Sequence, residues 1–404
     1  MITEQFPSVK SVALGFWVDV GSRDEREEFQ GCSHFIEHLL FKGTEKRTAQ
    51  EISTVLESRG GFLDAETDRD MTCYMAWILK EDMGLAVEVI SDMIQNPLFE
   101  EENIENERQV ILEEFSGRND DPEELIEDLY VETVWKGSQA AHPIIGNREI
   151  IENMRRDQIL RFFQEHYIPS RTIVLAAGNL EHEKLIEKVE FHFEKDLLGQ
   201  QQKRDQPKYI RNHRSIEREL NQVHICIATE GVAYGDYDKA ALELIKAYLG
   251  VGTSSRLFQE VREKRGLAYS IEAENYYMKD AGLLAIFAST RKDNAKRVVE
   301  ICLDELENIR SGIEVDRLKE TRYKLVGSLT YLSESTMEVC NQLGISTLRS
   351  GRPKTIQEDI KDLETVTPEH LARVADKIFN GNTLSLITVG LNRKEAGTLE
   401  AIIA

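Results

Sequence analysis

Two histidines and a glutamate fall within five positions in the segment from Gly31 to Gly43, as His34, Glu37 and His38. Imidazoles bind metal and carboxylates carry protons, so this short stretch has the parts of a hydrolytic centre. On an α-helix His34 and His38 lie one turn apart, roughly 6 Å along the axis, so both rings can grip one ion while Glu37 stays beside them as a base. The order His-x-x-Glu-His inverts the better-known His-Glu-x-x-His arrangement of zinc hydrolases. With 9 histidines in 404 residues, its chance expectation is on the order of a few per cent. The plainer alternative is a helix whose histidines are solvated or satisfied within a core. Phe35, Ile36, Leu39, Leu40 and Phe41 argue for burial, where polar groups need partners.

A catalytic zinc needs a third protein ligand and an open position, and two histidines with a carboxylate form a common set. The segment around residues 100–116 offers one. Ile104, Glu107, Ile111 and Glu114 recur at i, i+3, i+7 and i+10, a spacing that predicts one inward stripe on a helix. Two carboxylates among isoleucines are costly unless something positive meets them, whereas Glu105 and Glu113 fall off the stripe. Zinc with its histidines would be that partner; pairing with basic residues, or an exposed face in an acid-rich chain, is the other reading.

These residues resemble the pitrilysin/insulinase family of zinc peptidases, in its small branch related to processing peptidases. In that family the helical motif is followed about 76 residues later by a glutamate ligand, with another functional glutamate seven positions before it. Glu114 and Glu107 stand at those places. The run Gly21 to Glu25 is similar to the family's approach to the zinc helix. The resemblance implies one Zn2+ per chain on His34, His38 and Glu114. It also implies Glu37 as the base that takes a proton from water and returns it to the leaving amine, and Glu107 as a group orienting a histidine.

The same element order occurs twice along the chain. A strand at 12–20, the histidine helix, a helix ending at Glu57, strands through Ile78 and a helix at 81–94 are followed by a strand at 223–229. Helices at 239–249 and 255–265, strands between 267 and 289 and a helix at 293–309 complete the second set. Glu57-Ser58-Arg59-Gly60 and Glu263-Lys264-Arg265-Gly266 lie 206 positions apart, and this offset carries His34, Glu37 and His38 onto Ala240, Glu243 and Leu244. The pattern predicts an α+β protein of two homologous domains from an internal duplication, each an antiparallel-rich sheet covered by helices. The expected ranges are 1–198 for the zinc-binding domain, 199–216 for a linker and 217–404 for a domain without the metal histidines.

In the second half, Arg262 and Tyr269 stand seven residues apart, as an arginine and a tyrosine do in the family. The resemblance gives them a substrate-binding role, as donors to the carbonyl oxygen that gains charge during amide hydrolysis. A solvated arginine and a ring packed on a strand are the plain alternative. The segment Gly60 to Tyr74 is similar to the family's edge strand, along which a peptide pairs as an added strand, with Asp64 and Ala65 at its centre. Asp64 replaces the family's usual asparagine; a carboxylate only accepts, so a backbone contact to substrate changes. Asp70 stands where relatives have glutamate. Gly250 to Phe258 resembles the family's glycine-rich loop and lacks the spacing of a phosphate-binding loop.

Two halves of a clam-shaped chamber are expected to come from two chains of this length, so the resemblance implies a homodimer, with a heterodimer as the alternative, acting on peptide substrates. The competing function is a non-catalytic peptide-holding or scaffold subunit. A net charge of −22 argues against nucleic acid as a partner. The same charge would draw basic peptides or simply keep the protein soluble. Five scattered cysteines indicate neither a disulfide framework nor a thiolate metal site, which fits a cytoplasmic location. The apolar run at 281–288 is too short to cross a bilayer, so no membrane partner is expected. The start at Met1 shows no signal-peptide pattern; family members usually carry more of the first strand, which leaves a trimmed start as one alternative. The seven other histidines lack metal spacing.

Overall fold

The computed structural model describes residues 1–193, 204–379 and 383–403. The part of the expected linker at 199–203 lies outside them. Among the described residues ten strands form two five-stranded sheets. In the first, β1 (Ile2–Gln5), β2 (Ser11–Val18), β3 (Phe62–Thr67), β4 (Thr72–Leu79) and β5 (Thr172–Gly178) take the order β1-β5-β2-β4-β3. In the second, β6 (His213–Ile216), β7 (Val223–Glu230), β8 (Ala268–Tyr277), β9 (Gly282–Thr290) and β10 (Ser385–Val389) take the order β6-β10-β7-β9-β8. Each sheet has one parallel pair, β1 with β5 and β6 with β10, and is otherwise antiparallel. Strand for strand the topology repeats, as the duplication predicts.

The chain divides into two compact units. The first comprises Met1–Gly117, His142–Asp205 and Tyr331–Ile356; the second comprises Arg118–Ala141, Gln206–Thr330 and Gln357–Ala404. Against the expected ranges 1–198 and 217–404, two segments change sides. The helix Pro122–Val134 puts Ile126, Leu129, Tyr130 and Val134 into the second core, against Cys226, Ala285 and Ile387. The helix Thr336–Ser350 packs on β2 and β5 of the first unit. Its Gly344 lies so close to Trp17 that an added Cβ would come within 2.3 Å of the indole ring.

The first core shows why these residues make these elements. β2 is buried along Val12–Val18 because both faces of the central strand are covered, one by the helix Met83–Gln95 within the core that also holds the histidine helix Cys32–Leu40, the other by Thr336–Ser350. The hairpin joining β3 and β4 packs on the run before the histidine helix: Ser22 and Arg23 donate their N–H groups to the carbonyls of Asp68 and Arg69. Only glycine fits at position 21, where a Cβ would lie 2.1 Å from the Asp68 oxygen. Expected element limits shift by a few residues, and the segment at 255–265 holds a π-helical turn, Phe258–Glu263. Among the described residues no helix is long and apolar enough to cross a membrane.

Candidate metal and catalytic site

The histidine helix starts at Gly31, whose φ of 93° is the left-handed conformation that glycine adopts without penalty. Its N-terminal amides are capped from outside the helix. Glu25 accepts from the N–H groups of Gly31 and Ser33, both at 2.7 Å. A carboxylate there also meets the positive end of the helix dipole. Burial pushes the Glu25 carboxyl up to about 8, against the pull of these two donors. Arg23, two residues earlier, is 2% exposed and pairs with Asp70 at 2.9 Å, tying this run to the β3–β4 hairpin.

Cys32, Phe35, Ile36, Leu39 and Leu40 turn into the core, which leaves His34, Glu37 and His38 on the facing side. The imidazole centroids are 4.7 Å apart. Nε2 of His34 lies 3.7 Å from Oε2 of Glu114, and Nε2 of His38 lies 3.8 Å from the same oxygen. The ligand atoms of the three residues are all within 4.8 Å of one another, a group able to hold a metal ion among the described residues. Glu107 meets the second ring: its Oε2 lies 3.1 Å from Nδ1 of His38, an acceptor placed to hold the ring in the tautomer that offers Nε2 to a metal. Lys42 holds the other oxygen of Glu107 at 2.7 Å.

Glu37 lies half-buried beside the trio and accepts a hydrogen bond from the Thr67 hydroxyl at the end of β3. Burial raises its carboxyl above the usual range, against the pull of Thr67 and His38, with Glu114 and Asp64 adding to the rise. The donor set fits zinc. A tetrahedron with bonds of about 2.1 Å separates its ligand atoms by about 3.4 Å, close to the separations found from Glu114 to the two rings.

Glu114 departs from the inward stripe. Ile104, Glu107 and Ile111 of the helix Glu101–Asp120 are buried, but the Glu114 side chain is 40% exposed. Ten residues at about 100° each carry it to the border of that face, so solvent reaches the trio from its side. Asp64 and Ala65 lie on β3, the edge of the first sheet, with side chains on opposite faces. Ala65 packs against the core beneath the histidine helix, while Asp64 is exposed on the other face. In the second unit Tyr269 is 69% exposed, and the Arg262 guanidinium lies 5.7 Å from its ring centre.

Sequence reasoning assigned no role to Thr67, Glu25 or Lys42. Lys42 sits four residues after His38, a spacing that hints at a shared face. Thr67 and Glu25 carry no local signal, because their partners arrive through the hairpin and through a turn of irregular backbone.

Comparison with known proteins identifies the family. The model described as "Insulinase (Peptidase family M16)" matches residues 1–148, and that described as "Peptidase M16 inactive domain" matches residues 153–325. An uncharacterized zinc protease of Streptomyces coelicolor is 35% identical over 415 residues, covering 100% of this chain and 90% of the relative. One of Bacillus subtilis is 31% identical, covering 96% and 95%. A crystal structure of a protease from Helicobacter pylori shares the fold, with a TM-score of 0.87 at 21% identity over 96% of each chain. Together with the repeated sheet order, these relatives show that the chain belongs to the insulinase family of peptidases, family M16.

Proposed function

We propose that the chain is a zinc-dependent endopeptidase that cleaves peptides or unfolded segments. The observation that carries this reading is the convergence of His34 Nε2, His38 Nε2 and Glu114 Oε2, with Glu37 held beside them by Thr67. One zinc ion on these three groups would supply Lewis acidity and make nearby water acidic enough to lose a proton near neutral pH. Glu37, with a carboxyl lifted by burial, takes that proton on its free oxygen and delivers it to the leaving amine. Glu107 keeps the His38 ring in its binding tautomer, and Lys42 keeps Glu107 in place. β3 offers the unpaired N–H and C=O groups of a sheet edge to an extended peptide. Arg262 and Tyr269 enter as donors to the carbonyl oxygen, supplied within a homodimer whose two copies enclose the peptide.

The test is metal content with cleavage of a mixed peptide library read by mass spectrometry. One equivalent of zinc and cleavage that a chelator stops are expected, with the Glu37→Gln chain keeping zinc and losing cleavage. A zinc-loaded wild-type chain that cuts nothing overturns the peptidase reading in favour of a peptide-holding subunit. Mixing Glu37→Gln with Arg262→Ala chains tests assembly: recovered activity is the expected result, and none after subunit exchange overturns the homodimer.

A further inference from the structure

β3 is a ruler laid beside the candidate site. At one end Thr67 donates to Glu37, and five residues away, about 17 Å at strand rise, stands Phe62. Side chains alternate along the strand. Leu63, Ala65 and Thr67 turn toward the core and the histidine helix, while Phe62, Asp64 and Glu66 are exposed on the opposite face. Across the hairpin Phe62 pairs with Trp77, Asp64 with Met75 and Glu66 with Cys73. The helix Thr336–Ser350 packs on this face of the sheet over β2, and Met75 and Cys73 are buried at 8% and 2%. Its cover stops short of the far end, where Phe62 is 53% exposed, Trp77 50% and Leu79 41%. Three large apolar side chains thus lie open together, Phe62 on the edge strand and Trp77 and Leu79 on its neighbour β4, a cluster of the kind that marks binding surfaces.

We infer that Phe62 and Trp77 form a distal specificity subsite that reads an apolar side chain of a peptide added to β3, well away from the bond that is cut. This rests on the peptidase reading for its occupant. Continuity supports that choice, since the strand bearing Phe62 also bears the hydroxyl that holds Glu37. Antiparallel pairing is the more stable mode. Because β3 runs from Phe62 toward Thr67, an antiparallel peptide passes its C-terminal side along Phe62. Strand alternation then sets the recognised pattern: an apolar residue about five positions C-terminal to the one beside Thr67, with a basic residue two positions nearer, opposite Asp64. The substrate class is an extended peptide with a basic residue and an apolar residue two apart, downstream of the cleaved bond.

The experiment uses the full-length zinc-loaded protein and peptides of about twelve residues, long enough to pair along β3, in which one leucine is moved through an alanine and serine background. The expected result is a rise in kcat/KM of about tenfold at one leucine position, about four to six residues beyond the cut, through KM rather than kcat. Phe62→Thr and Trp77→Thr should flatten that profile with zinc content unchanged, and Phe62→Leu should retain it. Anisotropy of the same peptides on the Glu37→Gln chain reports binding without cleavage. Cleavage with a positional profile that neither substitution alters overturns the subsite and leaves the peptidase reading intact. Position-dependent binding that Phe62→Thr abolishes, with no cleavage by the wild type, supports the subsite and overturns the peptidase reading. Neither binding nor cleavage overturns both.

Discussion

Glu37 and Glu243 occupy corresponding places on helices beside two sheets of the same strand order, yet their surroundings shift one carboxylate in opposite directions. Each sits on the helix that faces an edge hairpin. Each also meets a hydroxyl from the last residue of the edge strand: Thr67, which pairs across to Thr72, and Tyr277, which pairs across to Gly282. Around Glu37 stand two imidazoles and further carboxylates, and burial raises its carboxyl. Around Glu243, burial pushes the same way but Lys246, at 2.7 Å, and Lys239 outweigh it, taking the carboxyl down to about 2. Asn275 adds a donor at 3.1 Å. The duplicated frame positions an acid in both copies; lysine ammoniums pull the Glu243 carboxyl down, whereas burial holds the Glu37 carboxyl up.

The comparison can be broken by exchanging the chemistry. Glu37→Gln should reduce peptide cleavage by about 10²- to 10⁴-fold with zinc retained. Glu243→Gln should leave turnover per folded molecule within about twofold while lowering stability by about 3 kcal/mol, because Lys246 loses its partner. Steady-state kinetics beside urea unfolding checks both, and a large kinetic loss in Glu243→Gln would erase the distinction. Removing zinc is next in size. A metal bound at 1,000 times its dissociation constant stabilises by about 4 kcal/mol, so chelation should lower the melting transition of the first unit and leave that of the second in place. Calorimetry with and without chelator reads this.

Glu107→Gln should weaken zinc binding by about 10- to 100-fold, since the His38 ring loses its charged acceptor and keeps at most a neutral amide oxygen, while Lys42 loses its anion. Competition with a chromophoric chelator measures it, and an unchanged affinity would remove Glu107 from the site. The smallest effect concerns acid. His166, 5% exposed and beside Arg171 at 2.9 Å, has its pKa lowered to about 4, first by burial and then by Arg171. Below about pH 6.5 the unfolded chain takes up a proton that the folded chain refuses until about pH 4, so the first unit loses on the order of 2 kcal/mol as pH falls through that window. The Glu243 contribution in the second unit is instead complete above about pH 4.5 and is lost only as pH falls toward 2. His166→Gln should flatten the urea midpoint between pH 6.5 and 4; an unchanged slope would show that another group titrates there.

Much of the site was legible because its residues are close in sequence or share a helix face. His34, Glu37 and His38 need only helical geometry, and Glu107 and Glu114 need only the spacing that the family resemblance supplied. The duplication was legible through one offset, and the edge position of β3 through the family resemblance of the segment Gly60 to Tyr74. Glu114 was read as buried because a stripe of four positions ignores the drift of a straight helix over ten residues. Thr67 was missed because its partner lies thirty positions away and reaches it only when the hairpin folds over the helix. The exchange of Pro122–Val134 and Thr336–Ser350 between units has no signature in periodicity, since an amphipathic helix reports that it covers a sheet and not which one.

What the amino-acid order determined alone is local chemistry: which side chains can bind a cation, which can carry a proton, and that one copy of a repeated unit has lost two imidazoles. Tertiary structure decided the rest, because it depends on distances between residues far apart in the chain. It brought Glu114 within 4 Å of two imidazole nitrogens, capped the histidine helix from Glu25, and left Phe62 and Trp77 open where a covering helix ends. Such distances are set by how sheets and helices pack, and packing is a property of the whole core that no short window of sequence contains.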